Sequence, residues 1–306
     1  MKRILIFCFA LGFIAFCATA EELNVGSYNI RLETDVDYNH NDGWLQRRGI
    51  LCDLIRFSNF DIFGAQEVRH AQLEYMLEKL PEYDYIGVGR DDGATAGEYS
   101  PVFYKRDRFK VLDKGTFWIS PTPDKVSYGW DAKCRRVCSW GHFKDLKTKT
   151  RFYFFNLHMD HRGVKARREG AKLIVKKIKE MCTGKDANFV VTGDFNVAQD
   201  NEIFQIFVDS GIMKDSFECA DFRFSPTGTF NSFDPSKFTK LRIDHIWVSS
   251  AAHVSRYGVL TYHYWLDKKG EDSSSTLVAA PKEMKTEKRE VHLPSDHYPL
   301  SVFLSF

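Results

Sequence analysis

Short apolar or alternating runs, rich in β-branched and aromatic residues, recur at Leu23 to Ile30, Ile62 to Ala65, Tyr85 to Val88, Val102 to Tyr104, Arg136 to Phe143, Phe152 to Leu157, Phe189 to Thr192, Ile243 to Val248 and Pro299 to Leu304. Runs of this length and composition predict strands. Between them, helical periodicity occupies Trp44 to Phe57, Ala71 to Leu80 and Arg167 to Met181. In the last, Ile174, Ile178 and Met181 form a stripe opposite Lys172, Lys176 and Lys179, marking one face for burial and one for water. Strands alternating with amphipathic helices predict an α/β fold. Few helical signals interrupt Val102 to Leu157, so antiparallel pairing is expected there and the sheet system is expected to be mixed.

The first residues follow another pattern. Lys2 and Arg3 precede an apolar run from Ile4 to Phe16, and Ala18-Thr19-Ala20 offers a small-x-small site before Glu21-Glu22. This reads as a secretory signal peptide over residues 1–20. The run is shorter than the roughly 20 apolar residues a transmembrane anchor needs. A lipid anchor on Cys17 is the less favoured reading, because bulky Phe16 stands where lipoprotein signals usually carry a small residue. The expected mature chain is 21–306, exported to the periplasm or beyond, with no transmembrane segment.

Composition narrows the picture further. The 306 residues are 43% hydrophobic and 27% charged, as in ordinary folded proteins. Lys and Arg total 43 against 41 Asp and Glu; removing Lys2 and Arg3 leaves 41 of each, a net charge of zero. A duplex-binding protein usually carries a basic excess, so global charge gives nucleic acid no support. Of seven cysteines, Cys8 and Cys17 leave with the leader; Cys52, Cys134, Cys138, Cys182 and Cys219 are too few for a disulfide scaffold in a chain this long. Cys134 and Cys138 have no matching second pair, which argues against a zinc knuckle and for buried small hydrophobes. No long linker or internal repeat divides the chain. The segment Lys268 to Lys288, with Ser273 to Ser275 and many lysines and glutamates, reads as a solvated loop.

Polar residues at the ends of apolar strands carry the chemistry, because a strand delivers its terminal side chain to the sheet edge. Six clusters do this: Ser27-Tyr28-Asn29-Ile30-Arg31, Gly64-Ala65-Gln66-Glu67, Asn156-Leu157-His158-Met159-Asp160-His161, Thr192-Gly193-Asp194-Phe195-Asn196, Arg242-Ile243-Asp244-His245 and Pro294-Ser295-Asp296-His297. Each alone fits a turn or a helix cap. In order and spacing, together they resemble the signature of the endonuclease/exonuclease/phosphatase superfamily over Asn29 to His297. Thr192 to Asn196 and Ser295-Asp296-His297 are its most specific pieces. The tract Phe155 to His161, followed by Ala166-Arg167-Arg168-Glu169, looks closest to a bacterial, deadenylase-related branch, as do Gly129-Trp130-Asp131 and Val88 to Gly93.

The resemblance implies a single domain over 21–306 with a deoxyribonuclease I-like fold: a four-layer α/β/β/α sandwich of two mixed sheets with helices outside. It implies a divalent-metal phosphoesterase that hydrolyses a phosphodiester in a nucleic acid, nucleotide, phospholipid headgroup or phosphosugar. Such hydrolysis requires an activated water and charge stabilisation on oxygen, which a hard ion supplies. Glu67 is then the principal ligand for Mg²⁺ or Mn²⁺, with Asn29 and Asp296 adding oxygens. Asp194 deprotonates the attacking water, Asn196 holds that water or a phosphate oxygen, and His158 and His297 donate to the phosphoryl group. Asp244 orients His297.

Arg31, Trp130, His161 and Arg168 are candidates for substrate contact, each also readable as an ordinary surface or packing residue. Most of the 26 phenylalanines must pack the sheets rather than stack on substrate. No protein partner is evident, and a monomer is the default expectation. Two rivals are weighed. His158-x-Asp160-His161 resembles a dinuclear zinc motif of metallo-β-lactamase-like phosphodiesterases, but Asn156 replaces its first histidine and amides are poor zinc ligands. A non-catalytic exported binding protein is the second, since fold does not dictate function; against it, no mapped catalytic position carries an inert residue.

Overall fold

The computed structural model describes residues 21–267, 274–275, 286–287 and 289–306. The leader segment 1–20 lies outside the described residues, as does most of Lys268 to Lys288. Within the latter a two-residue antiparallel ladder is described, Ser274 opposite Glu287 and Ser275 opposite Thr286.

Two mixed β-sheets form the centre. The seven-stranded sheet runs in the order Phe222–Phe224, His253–Val259, Leu300–Ser305, Leu23–Asn29, Ile62–Gln66, Val102–Lys105, Tyr83–Ile86. The six-stranded sheet runs Phe109–Trp118, Val137–Asp145, Arg151–His158, Phe189–Asp194, Asp244–Ser249, Met213–Asp215.

Successive side chains on a strand point to opposite faces, so each central strand feeds two cores. Val25, Ile62, Val102 and Tyr104 of the first sheet meet Phe143, Phe152, Phe154, Val190 and Ile246 of the second between the sheets. The alternate residues Phe63, Ala65 and Phe103 face outward onto Leu51, Ile55, Leu73 and Met76 of the helices Trp44–Ser58 and His70–Lys79. On the other side, Phe155, Leu157, Val191 and Trp247 pack under Ile174 and Ile178 of the helix Val164–Met181 and Phe204 and Phe207 of the helix Glu202–Asp209. The result is the expected helix–sheet–sheet–helix sandwich. Full burial of each such side chain contributes roughly 1.5–3 kcal/mol, and burial on both faces is why these strands read as apolar runs.

The expected antiparallel stretch is present: Phe109–Trp118 pairs with Val137–Asp145, which pairs with Arg151–His158. Parallel pairing occurs where the site is built. Asn29 stands opposite Gln66 at the end of one parallel pair, and His158 opposite Asp194 at the end of the other. Asp244 begins an antiparallel strand opposite Asp194, and Leu300 begins one opposite Ser27. Ends of four strands and starts of two therefore share one edge of the sandwich.

Beneath that edge a polar link joins the sheets. Asn156 Nδ2 donates to the carbonyls of Ala65 (2.7 Å) and Pro101 (2.9 Å), while its Oδ1 accepts from Gln66 Nε2 (2.7 Å) and Thr192 Oγ1 (3.0 Å). Gly64 makes room for it: a Cβ there would lie 2.2 Å from Asn156 Oδ1. Cys52, Cys134, Cys138, Cys182 and Cys219 are all free, with Cys52 and Cys138 buried.

Candidate active site

Glu67 follows the strand Ile62–Gln66 in a left-handed conformation, φ 62°. Its Oε1 accepts from Asn29 Nδ2 at 3.0 Å and its Oε2 from the Leu32 backbone N–H at 3.0 Å. Burial works to raise its pKa, but these two hydrogen bonds and the charge on His297 hold it below the usual value. Arg31 (φ 58°) and Asn196 (φ 49°) share this backbone region. Each such non-glycine residue costs on the order of 1 kcal/mol, and such strain tends to gather where function requires it.

Asn29 Nδ2 also donates to Asp194 Oδ2 at 3.1 Å, so its amide nitrogen bridges two carboxylates, while its Oδ1 accepts from the Arg31 N–H at 3.0 Å. The sequence reading had the Asn29 carbonyl facing an ion; here the nitrogen faces the carboxylates, and a half-turn of the amide exchanges the two. Ser295 Oγ donates to the Asn29 carbonyl at 2.7 Å, tying the C-terminal cluster to the first strand.

Asp194 lies at the end of its strand, fully enclosed. Burial, reinforced by the negative Asp244, pushes its carboxyl up to about 7. Its Oδ1 accepts from the Asn196 N–H at 2.9 Å, and its Oδ2 lies 3.4 Å from His158 Nε2 and 3.8 Å from His297 Nε2. Asn196 Nδ2 lies 3.1 Å from His158 Nε2 and donates to the Met159 carbonyl at 3.0 Å. His158 is held well below its usual pKa by burial and by the nearby cations Arg136 and Arg90, which keeps it neutral. His297 is the opposite case. Burial opposes its charge, yet Asp244 Oδ2, 2.8 Å from Nδ1, raises it to about 10. Thr229 Oγ1 accepts from the Asp244 N–H at 3.2 Å and fixes the start of that strand.

Glu67, His158, Asp194, Asn196 and His297 line a cavity of about 400 Å³, while Asn29 and Asp244 back them without lining it. Of the residues the sequence singled out for substrate contact, Arg31 and His161 line it. Arg31 is held by Asp37 through Nε (3.0 Å) and Nη2 (3.1 Å), with Nη1 3.7 Å from Asp296 Oδ2. Trp130 and Arg168 are not among the lining residues. Arg168 pairs with Glu202 at the surface. Beside Trp130, Asp131 accepts from the Lys165 N–H (3.2 Å) and Ala166 N–H (2.6 Å) at the start of the helix Val164–Met181, which accounts for the Gly129-Trp130-Asp131 segment as a cap. Arg90, Glu98, Arg136 and Phe230 line the cavity without having been singled out, though the Val88 to Gly93 segment hinted at Arg90; Cys134, expected as a buried small hydrophobe, is half-buried and lines the cavity too.

The donor chemistry fits a hard divalent cation. Ligand atoms of Glu67, His158 and Asp194 lie within 4.8 Å of one another, as do those of Asp194, Asp244 and His297. Asp296 lines the same cavity but belongs to neither group, and burial raises its pKa. Buried carboxylates facing one another favour a cation that is bound through oxygen. The dinuclear zinc alternative fits poorly. Asn156 is consumed by the link between sheets, and Asp160 by four backbone N–H groups: Lys133 and Cys134 on Oδ2, Arg162 and Gly163 on Oδ1.

A family model described as the Endonuclease/Exonuclease/phosphatase family matches residues 26–297. A mannosyl-6-phosphatase of Bacteroides thetaiotaomicron VPI-5482 is 48% identical, with a TM-score of 0.85 over 93% of this chain and 100% of that one. An endonuclease/exonuclease/phosphatase family protein from Bacteroides thetaiotaomicron is 47% identical, with a TM-score of 0.86 over 94% of this chain and 98% of that one. The CCR4-Not complex 3'-5'-exoribonuclease subunit Ccr4 of Debaryomyces hansenii is 25% identical over 84% of this chain, which spans 35% of that protein. Likeness to the deadenylase-related branch is therefore loose.

Proposed function

We propose a function from one premise: the chain belongs to the endonuclease/exonuclease/phosphatase family, whose members are metal-dependent phosphoesterases. The protein is an exported phosphatase that removes the terminal phosphate from a phosphorylated sugar. The observation that carries the hydrolytic part is the meeting of Glu67, His158, Asp194 and His297 in one cavity, with Asp244 behind His297. The sugar part is supported by the full-length likeness to a mannosyl-6-phosphatase, and it narrows the phosphodiester expected from sequence to a monoester. Export is supported by the leader pattern of Lys2 to Ala20, and one catalytic unit over 21–306 by the pairing of Leu23–Asn29 with Leu300–Ser305.

Glu67 holds Mg²⁺ or Mn²⁺ with help from Asn29 and Asp296, and the ion, when bound, stabilises charge on the phosphoryl oxygens. Asp194, with a carboxyl near 7, takes the proton of the attacking water. Asn196 positions His158 and the water. His297, positively charged at neutral pH, is a donor to the non-bridging oxygens, and Asp244 keeps it charged. His158, neutral, adds a contact without adding charge. The test is a panel with Mg²⁺ and Mn²⁺ covering hexose 6-phosphates, phenyl phosphate, bis-nitrophenyl phosphate and single-stranded and duplex nucleic acids. Hexose 6-phosphates are expected to be the best substrates; faster cleavage of a diester overturns the proposal.

A further inference from the structure

One wall of the cavity bears on the hydrolytic cluster only through the charge its arginines direct at His158. Arg90 grips Glu98 with two bonds, Nη2 to Oε1 and Nη1 to Oε2, each 2.7 Å. Arg136 lies beside them, its Nη1 4.0 Å from Glu98 Oε2 and its Nη2 3.0 Å from His161 Nδ1. Arg136 is only 5% exposed and Glu98 9%, yet both line the cavity. Arg136 Nε and Nη1, and Arg90 Nε, are buried without a hydrogen-bond partner. Leaving a buried donor without a hydrogen bond is costly, so three of them in one wall call for an explanation.

We infer that Arg90, Glu98 and Arg136 form a subsite that reads the hydroxyls of the sugar. This rests on the phosphosugar reading above. A hydroxyl both donates and accepts, and this wall offers both: unfilled lone pairs on Glu98, and guanidinium N–H groups on Arg136 that are ion-paired at a distance, Nε 3.6 Å from Asp160 Oδ2 and Nη1 4.0 Å from Glu98 Oε2, but not hydrogen-bonded. An anion suits the wall less well. Glu98 stands next to the donor it would use and opposes a second negative charge, whereas a neutral hydroxyl meets no such opposition. His161, which accepts from Arg136 at Nδ1, carries its proton on Nε2 and adds a further donor at the rim. Sites built to pair with a substrate hydroxyl discriminate strongly against analogues lacking it, because their own buried groups are then left unpaired.

The experiment compares kcat/KM for mannose 6-phosphate with kcat/KM for phenyl phosphate in the wild type, Glu98→Gln and Arg136→Lys. The lysine keeps a positive charge near Asp160 but lacks the planar fork. The ratio is expected to fall by about tenfold or more in each variant, mainly through KM of the sugar, and the preference for glucose 6-phosphate over its 2-deoxy analogue is expected to shrink. Turnover of phenyl phosphate in the same preparations reports whether each variant is folded. Sugar turnover with a ratio within about twofold of wild type in both variants overturns the subsite alone. A wild type that cleaves phenyl phosphate but no hexose phosphate overturns the phosphosugar reading, and the subsite with it.

Discussion

His297 Nδ1 stands 2.8 Å from Asp244 Oδ2, while His297 Nε2 stands 3.8 Å from Asp194 Oδ2, so one buried imidazole spans two carboxylates of opposite duty. Asp244 fixes the ring and sustains its charge. Asp244→Asn keeps the shape and removes the charge. We expect kcat to fall by on the order of 10²–10⁴, with the far-UV circular dichroism spectrum unchanged. A variant with wild-type kcat removes Asp244 from the machinery.

Metal removal separates Glu67 from Asp194. A chelator is expected to abolish turnover, and Mg²⁺ or Mn²⁺ to restore it. At an ion concentration about 100 times Kd, binding adds about 2.7 kcal/mol, which corresponds to a rise in Tm of roughly 5–10 °C. Glu67→Ala is expected to lose most of that rise together with its activity. Asp194→Asn is expected to remain folded and inactive; wild-type rates in either variant contradict the assignments.

Arg47 holds the two halves of the site in register. Fully buried, it donates through Nη1 to the carbonyls of Ile30 (2.5 Å) and Pro294 (3.2 Å), through Nη2 to Arg31 (2.8 Å) and through Nε to Asp42 (2.9 Å). Arg47→Ala removes the guanidinium donor from the carbonyls of Ile30, Pro294 and Asp42, while that of Arg31 keeps Gln72 Nε2 at 3.0 Å. Urea unfolding is expected to show a loss of roughly 3–5 kcal/mol. A loss under about 1 kcal/mol means water replaces the guanidinium without cost.

Asp160 makes stability depend on acid. Burial opposes its charge, but hydrogen bonds from Gly163, Arg162, Lys133 and Cys134 hold its carboxyl down to about 2. A depressed folded-state pKa gives stability that is fully present above the ordinary carboxylate range and is lost as pH falls through about 2. Asp160→Asn is therefore expected to cost about 1–2 kcal/mol at pH 7, allowing for solvent screening, with the gap to wild type closing in strong acid. Equal stabilities at pH 7 sink this account.

The central strands were legible because both of their faces are buried: Phe152 to Leu157 and Ile243 to Val248 read as continuous apolar runs. Phe109–Trp118 escaped, since it edges its sheet and exposes Lys110, Asp113 and Lys114. The helix Glu202–Asp209 is too short for its period to stand out. The six polar clusters were visible because strand ends fix where their side chains emerge, and the structure brings Asn29, Glu67, His158, Asp194, Asp244 and His297 together. Arg47 was hidden within a helix, where a single arginine reads as a solvent-facing residue. Glu98 and Arg136 were hidden because nothing local reveals that these two stretches of chain line the cavity. Arg168 shared its tract with His158 and His161, but helical geometry turned it toward Glu202.

The strand Leu300–Ser305 lies between Leu23–Asn29 and His253–Val259, and Asp296 and His297 stand a few residues before it. During translation Asn29 and Glu67 emerge long before their counterparts from the other end exist. A chain cut short of residue 297 would hold Glu67, His158, Asp194 and Asp244, yet lack the one imidazole that Asp244 keeps charged.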